Sequence, residues 1–363
     1  MQELLMSTKQ IKQNISINKK VFVGLSGGVD SAVSAALLKD QGFDVTGVFI
    51  KVWSPEFLPC TWKDERRDAM RVAAKLNIPF IFFDFEKEYK KEVADYMINE
   101  YIDGRIPNPD VLCNREIKFG AFWRKAKELG ADYIATGHYA RNINQKLFEG
   151  VDKEKDQSYF LWTLTKDDLE HVIFPIGDLD KAYVRKLARK YEIPVSNKKD
   201  SQGICFLGEV SLEDFLPHFT NIQPGNVLNK SGQIIGTHKG AIYYTKGERH
   251  GFDIEIKSPT SNAYYVVSKD MKKNTVTVAN SDVEVLNFSP RLIELKNINF
   301  SVNKEIKNLC ARIRYRGEKI SIKMDSNTVD LLSPTRGVNE GQSIVFYDGE
   351  HCIGGAIINR IIS

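Results

Sequence analysis

No run of apolar residues in this 363-residue chain approaches the roughly 20 needed to cross a bilayer. The opening stretch, Met1 to Lys20, is polar, carries several lysines and lacks an apolar signal-peptide core. Residues 1–19 therefore read as a flexible extension, and the protein as soluble and cytoplasmic. Cysteine is scarce and poorly spaced for a structural role. Cys60, Cys113, Cys205, Cys310 and Cys352 are odd in number and contain no CxxC pair, which argues against a zinc site or a secreted disulfide scaffold. A strong charge of one sign is also missing. With 51 Lys and Arg against 47 Asp and Glu, the net charge of +4 permits an RNA partner without arguing for one, since a local basic patch is what matters. There is no internal repeat and no low-complexity tract. What remains is a chain 42% hydrophobic, ample for sizeable cores and long enough for two or three domains.

The first half alternates between two periodicities. Short apolar runs at Val21–Leu25, Asp44–Val52, Ile78–Phe85 and Asp132–Thr136 read as strands. Between them, Ser31–Lys39, Asp64–Leu76, Lys87–Tyr101 and Ile117–Leu129 read as helices, the second with Met70, Val72, Ala73 and Leu76 at three- and four-residue steps. A further helix is predicted at Lys181–Tyr191. This order predicts an α/β domain with a parallel sheet over residues 20–210. From Pro224 onward, turn signals (Pro224-Gly225, Ser231-Gly232, Asn280-Ser281) separate short alternating runs such as Ala241–Thr245 and Tyr264–Val267. A small central, mainly β domain is expected over 211–283. A C-terminal β-barrel is expected over 284–363, with its clearest strands at Arg312–Arg316, Ile320–Met324, Ser343–Tyr347 and Cys352–Ile357.

The string Gly24-Leu25-Ser26-Gly27-Gly28-Val29-Asp30-Ser31 lies between the first strand and the first helix. Glycines there let backbone N–H groups approach a phosphate, and the helix directs its positive end at the same place. Asp30 and Ser31 could cap backbone donors or help hold a magnesium ion. No Gly-Lys-Ser/Thr follows, so this is not a Walker loop, nor is it the dinucleotide GxGxxG. The full string resembles the pyrophosphate-binding loop of the ATP pyrophosphatases. That resemblance implies cleavage of ATP to AMP and pyrophosphate, with AMP joined transiently to a substrate oxygen.

Two cysteines stand in suggestive surroundings. Cys113 follows Asn108-Pro109-Asp110, where Pro107 and Pro109 predict an extended or turned segment. Asp110 could act as a general acid or base, and Arg115 and Lys118 could favour the thiolate. Cys205 follows Lys198, Lys199 and a glycine turn, an electropositive setting for a thiolate. On composition alone, Arg312, Arg314 and Arg316 would be one solvated strand face. The cluster Arg185, Lys186, Arg189 and Lys190 could hold RNA backbone or be an ordinary wet face.

Taken in order, the loop, Asn108-Pro109-Asp110 with Cys113, Thr136-Gly137-His138-Tyr139, Lys155-Asp156-Gln157-Ser158-Tyr159-Phe160 and Gly203-Ile204-Cys205-Phe206 resemble the bacterial tRNA-specific 2-thiouridylase family. The likeness continues through Arg312-Ile313-Arg314-Tyr315, Gly341-Gln342-Ser343 and Phe346-Tyr347-Asp348-Gly349. It implies an ATP-pyrophosphatase fold with ATP and magnesium as cofactors and no dedicated protein metal site. ATP would meet Gly24, Leu25, Ser26, Gly27, Gly28, Val29, Asp30 and Ser31, with Ile50 against the adenine and Gly137 as a further contact. Adenylation of the carbon-2 oxygen of the wobble uridine would precede sulfur transfer. Cys205 would carry a persulfide from a donor protein, Cys113 would be its nucleophilic partner, and Asp110 the acid/base. The two cysteines would then pair transiently as a disulfide. Whether Cys113 frees sulfide or resolves the persulfide after direct attack is open at this level. Asn108, Pro109 and Asp110 would meet the target base, and His138, Lys155, Asp156, Gln157, Arg314, Tyr315 and Gln342 the tRNA. Glu248 departs from the glutamine usual in the family, and Cys60, Cys310 and Cys352 have no implied role. Two other readings share parts of this pattern. A small-molecule amidotransferase would share the loop but have no use for two reactive cysteines. A non-catalytic RNA-binding protein would tolerate loss of Asp30, Cys113 and Cys205.

Overall fold

A computed structural model describes residues 18–58, 61–199, 210–256, 263–280, 289–301 and 309–362. The N-terminal extension, Cys60 and Cys205 lie outside the described residues.

The first strand, β1 (Lys20–Gly24), is covered on both faces, as its unbroken apolar run requires. It pairs in parallel with β2 (Asp44–Lys51) on one side and β4 (Tyr133–Ala135) on the other. β3 (Phe80–Asp84) extends one edge and β7 (Val172–Ile173) the other, giving the all-parallel order β3-β2-β1-β4-β7. Strand order reverses between β1 and β4. A doubly wound sheet opens a ligand crevice at that point, beyond the carboxyl ends of the strands. Helix α1 (Val29–Asp40) packs on β1 and β2 and buries Ala32, Val33, Ala35 and Ala36. Helix α2 (Trp62–Leu76) buries Ala69, Val72, Ala73 and Leu76 and ends at Asn77 in the left-handed region. Met70, counted with the apolar stripe in the sequence, is on the outer side and 46% exposed.

Two helices differ from expectation. The run predicted at Lys87–Tyr101 is three pieces in line: α3 (Glu86–Tyr89), a π-helical turn (Lys90–Ala94) and α4 (Asp95–Ile102). The second difference bears on function. Pro109 does not hold its segment extended; it is the first residue of α5 (Pro109–Leu112). A helix N-terminus tolerates proline because the missing N–H has no partner there anyway. Asn108 caps the helix by accepting from the Val111 amide at 3.3 Å. The helix continues through a π-helical stretch (Cys113–Ala121) into α6 (Phe122–Glu128), so Asp110 and Cys113 are both helical.

After β4, a hairpin of β5 (Ala140–Ile143) and β6 (Lys146–Glu149) leaves this domain and pairs with the last strand of the chain. Helices α7 (Lys166–Glu170) and α8 (Lys181–Lys190) and a short α9 (Leu212–Phe215) follow. The central domain is a five-stranded sheet of order β10-β9-β8-β12-β11. Its strands are β8 (Gly225–Leu228), β9 (Ile234–His238), β10 (Phe252–Ile254), β11 (Tyr265–Asp270) and β12 (Thr275–Ala279). Ala241–Thr245, expected as a strand, opens instead with a 3-10 turn (Ala241–Tyr243). The C-terminal strands β13 (Leu292–Phe300), β14 (Cys310–Arg312), β15 (Ile320–Asp325), β16 (Thr328–Leu331), β17 (Ser343–Asp348) and β18 (His351–Ile361) form a closed barrel, because β13 pairs with both β16 and β18. Arg312–Arg316 is not one strand: β14 stops at Arg312, and Arg314–Gly317 is a turn with Arg316 in the left-handed region. No helix among the described residues is long and apolar enough to cross a membrane.

Candidate functional site

The glycine-rich string turns the chain from β1 into α1 at the strand-order reversal. Gly27 has φ +74°, and a Cβ there would meet the Glu65 carbonyl oxygen at 2.5 Å. Glycine is thus required both by conformation and by the close approach of α2. Gly28 is the N-cap of α1 and no side chain caps the helix, so neither Asp30 nor Ser31 has the capping role open to it from the sequence. Ser31 Oγ instead donates to the Gly28 carbonyl and accepts from the Ser26 amide, each at 3.2 Å, which ties the loop into a ring. Gly137, just past β4, packs against the same helix end: a Cβ would stand 2.7 Å from the Ser31 amide nitrogen.

Asp30 has two partners. Lys181 Nζ is 2.8 Å from both carboxylate oxygens, and the Tyr139 hydroxyl donates to Oδ1 at 2.9 Å. On the other side of the loop, Lys198 Nζ donates to the Gly27 carbonyl at 3.1 Å and pairs with Asp68 at 2.8 Å. Two ammonium groups therefore flank a helix N-terminus with a glycine loop, an arrangement suited to a polyphosphate. Ile50 lies near the carboxyl end of β2, half-buried against the core. Among the described residues no group of three or more His, Cys, Asp or Glu side chains could hold a metal by itself.

Cys113 is buried, at 1% exposure, one helical turn beyond the Asn108 cap. Next to it, Asn114 Nδ2 donates to the Phe160 carbonyl at 3.0 Å. Arg115, expected to favour the thiolate, is exposed and paired with Glu116 at 2.6 Å. Further along the same helical run, Phe119 lies 5.8 Å from the His138 ring. His138 is itself buried, with Nδ1 2.7 Å from Thr136 Oγ1. Burial, reinforced by the Lys118 charge, holds its pKa well below the usual histidine value, so the ring is neutral.

The barrel closes over this segment. The Ile106 amide bonds the Glu340 carbonyl at 2.8 Å, and Gly341 sits so close to Arg105 and Ile106 that a Cβ would be 3.0 Å from each. Tyr159 donates to the Ser343 carbonyl at 2.8 Å and Trp162 to Ser343 Oγ at 3.1 Å. Tyr315, in the barrel turn, has its ring 4.5 Å from Phe160, with exposed Arg314 beside it. Asp110, Lys155 and Gln342 are half-buried. Asp156 is buried and accepts from the Gly150 and Ser158 amides, at 3.0 and 3.1 Å, and from Arg312 at 2.8 Å. Arg312 also pairs with buried Glu149, as does Lys319. Asp156 and His138, both implied at the tRNA, thus have their own partners inside the protein. Arg312 belongs to this inter-domain ion cluster, not to a wet strand face.

Several participants escaped the sequence reading. Lys181 is the first residue of α8, after the Asp180 cap. A cation at the positive end of a helix is unfavourable unless paired, and that was the available signal. Tyr139 had no implied role, and Lys198 was expected to favour the Cys205 thiolate, whereas its ammonium bonds the Gly27 carbonyl and Asp68. In the basic cluster, Arg185 is tied to the Lys198 carbonyl at 3.2 Å and so supports the loop strut. Cys310 and Cys352 are free among the described cysteines. Cys352 is fully enclosed, and burial pushes its thiol up to about 12.

Comparison with known proteins gives consistent matches along the chain. The model of the tRNA methyl transferase HUP domain matches residues 19–209, that of the tRNA methyl transferase PRC-barrel domain residues 213–280, and that of the aminomethyltransferase beta-barrel domain residues 291–358. The tRNA-specific 2-thiouridylase MnmA of Listeria innocua is 43% identical over 356 residues, covering 94% of this chain and 95% of its own. The tRNA-specific 2-thiouridylase MnmA 1 of Geobacillus kaustophilus is 45% identical, covering 95% and 96%. The tRNA-specific 2-thiouridylase MnmA of Bacillus subtilis is 42% identical, covering 94% and 95%.

Proposed function

We propose, on the premise that this chain belongs to the tRNA-specific 2-thiouridylase family, that it catalyses ATP-dependent 2-thiolation of a tRNA uridine. The observation that carries the geometric side of this reading is the glycine loop at the strand-order reversal, flanked by Lys181 and Lys198. The family-model descriptions name methyl transfer; a loop suited to a polyphosphate, and identity to the 2-thiouridylases along nearly the whole chain, favour adenylation and sulfur transfer.

The substrate we infer is the wobble uridine of the anticodon. Its carbon-2 oxygen attacks the α-phosphorus of ATP, and pyrophosphate departs. The loop amides, Lys181 and Lys198 stabilise the charge that builds on the leaving phosphates. Where magnesium accompanies ATP, Asp30 is the residue that would hold it, and the ion would supply neutralisation of the same charge. The carbon-2 oxygen has then become part of AMP, a good leaving group. Asn108, Pro109 and Asp110 hold the base at the start of α5, with Asp110 moving the proton. Lys155, Gln157, Arg314, Tyr315 and Gln342 line the RNA path. Arginine and tyrosine there can meet phosphates and stack on unpaired bases.

A protein donor loads Cys205 as a persulfide. In one route its terminal sulfur attacks carbon-2 directly. The Cys113 thiolate then attacks the Cys205 sulfur, the S–S electron pair passes to the transferred sulfur, and AMP leaves. In the other, Cys113 attacks first and the freed hydrosulfide displaces AMP. Both leave a Cys113–Cys205 disulfide that an external dithiol must reduce. The pairing requires the two Cα atoms to approach within about 7 Å. In its support, Lys198 is anchored on the phosphate loop, and Val210 packs against the same core cluster as Cys113. Both lie close in sequence to the segment that carries Cys205, one before it and one after it. The protein would work in the cytoplasm, where its tRNA substrate and a reducing pool coexist.

The test is incubation with unmodified tRNA, ATP-magnesium and a persulfide donor, followed by nucleoside mass analysis. We expect sulfur-for-oxygen replacement in uridine, lost in both Cys113→Ser and Cys205→Ser. A methylated product, or thiolation that persists without Cys205, would overturn the reading.

A further inference from the structure

We infer that Tyr139 is a positioning residue through which RNA on the 155–157 segment sets the orientation of Asp30 in the phosphate loop. The inference rests on the reading above of both regions as ATP and tRNA contacts. Its basis is an unbroken chain of short hydrogen bonds. The Gln157 amide donates to the Tyr139 carbonyl at 2.8 Å, and the Tyr139 amide donates back to Gln157 Oε1 at 3.0 Å. The Tyr139 side chain is 3% exposed, and its hydroxyl reaches Asp30 Oδ1 at 2.9 Å. One residue thus touches the proposed RNA contact with its backbone and the proposed nucleotide contact with its hydroxyl.

The surroundings leave little slack on either side. Gly150 lies against the Tyr139 backbone so closely that a Cβ would stand 2.8 Å from its carbonyl oxygen. Asp156 pins the Gly150 and Ser158 amides on either side of Gln157, and is itself held by Arg312 of the barrel. Two residues before Tyr139, Gly137 abuts the start of α1. A shift of the 155–157 segment is therefore passed to Tyr139 instead of being absorbed locally. At the far end Lys181 competes for Asp30, holding both of its oxygens at 2.8 Å. For Asp30 to face a cation on the nucleotide, that ion pair must open. A neutral hydroxyl on Oδ1 orients the carboxylate without neutralising it. Occupancy of the RNA contact would in this way favour the loop state that accepts nucleotide.

The test measures coupling and needs no turnover. Binding of an ATP analogue with a methylene between the α- and β-phosphates is titrated calorimetrically against the full chain with magnesium, with and without saturating unmodified tRNA. For the wild type we expect tRNA to tighten nucleotide binding by at least about fivefold, the lower end of ordinary allosteric coupling, and nucleotide to tighten tRNA by the same factor. In Tyr139→Phe, which keeps the ring and removes only the hydroxyl, we expect that factor to fall to near one in both directions. A merely structural role would weaken the two ligands without changing the ratio. An unchanged ratio in Tyr139→Phe, or a wild-type ratio of one with both ligands bound, overturns the inference and leaves the proposed function standing. A wild type that binds neither ligand overturns both.

Discussion

Lys181 meets Asp30 from the first turn of α8, a position where the helix itself repels a cation. Its presence there makes sense if polyphosphate is its second partner. Lys181→Ala should weaken ATP binding by roughly tenfold or more, in line with the loss of one charge-assisted hydrogen bond. Calorimetric titration checks this, and an unchanged affinity would remove Lys181 from the nucleotide site. His138 gives a residue-scale prediction of another kind. Its folded pKa lies well below that of the free ring because burial disfavours the cation. The unfolded ring takes up a proton as pH falls through about 6.5, while the folded ring does not. Its contribution is therefore complete above that value. It is lost on acidification by up to about 1.4 kcal/mol per pH unit, until the depressed folded pKa is reached. His138→Gln should flatten part of the slope of urea-unfolding stability against pH. His238 and His351, also depressed by burial, contribute to what remains.

The helix that carries Asp110 and Cys113 depends on how it starts. Asn108→Ala removes the cap on the Val111 amide and should cost about 1 kcal/mol, whereas Asn108→Ser should restore most of it. If Asn108 also holds the target base, Asn108→Ser will fold normally by chemical denaturation yet thiolate slowly. Equal behaviour of Asn108→Ser and wild type in both assays would remove Asn108 from the base contact. This element also shows what the sequence could and could not reveal. The strands β1 to β4 and helices α1 and α2 were legible because burial on two faces, or on one stripe, writes a period into the residues. The start of α5 was not, since Pro109 is compatible both with an extended chain and with a first helical turn; only the Asn108 cap decides. The break of the barrel strand after Arg312 was hidden because alternating arginines suggest one exposed face. Arg312 is instead half-buried, between Asp156 and Glu149 on another domain. The hairpin β5–β6 and the strand β7 are too short to write a period of their own. The loop, Cys113 and the RNA-contact strings were recognisable as local motifs, whereas Lys181 and Tyr139 gain meaning only from Asp30, more than 100 positions away.

At the scale of the whole molecule, the barrel is held to the catalytic domain by the β6–β18 pairing and by an ion cluster around Arg312. Glu350 belongs to the same junction, where Lys153 and Arg141 lower its carboxyl to about 2. Arg312→Ala leaves buried Asp156 and Glu149 short of a cation and should destabilise the protein by about 3–5 kcal/mol. We expect urea unfolding to split into two transitions as the barrel uncouples, and a single unshifted transition would contradict this picture of the junction. The central claim concerns what the assembled molecule does with ATP. It is tested most directly by a single turnover with unmodified tRNA and persulfide-loaded enzyme, in which AMP, pyrophosphate and 2-thiouridine are all counted. The account predicts the three in equal amounts, with none formed when tRNA is omitted. ADP and phosphate in their place, or thiouridine formed without AMP, would contradict it.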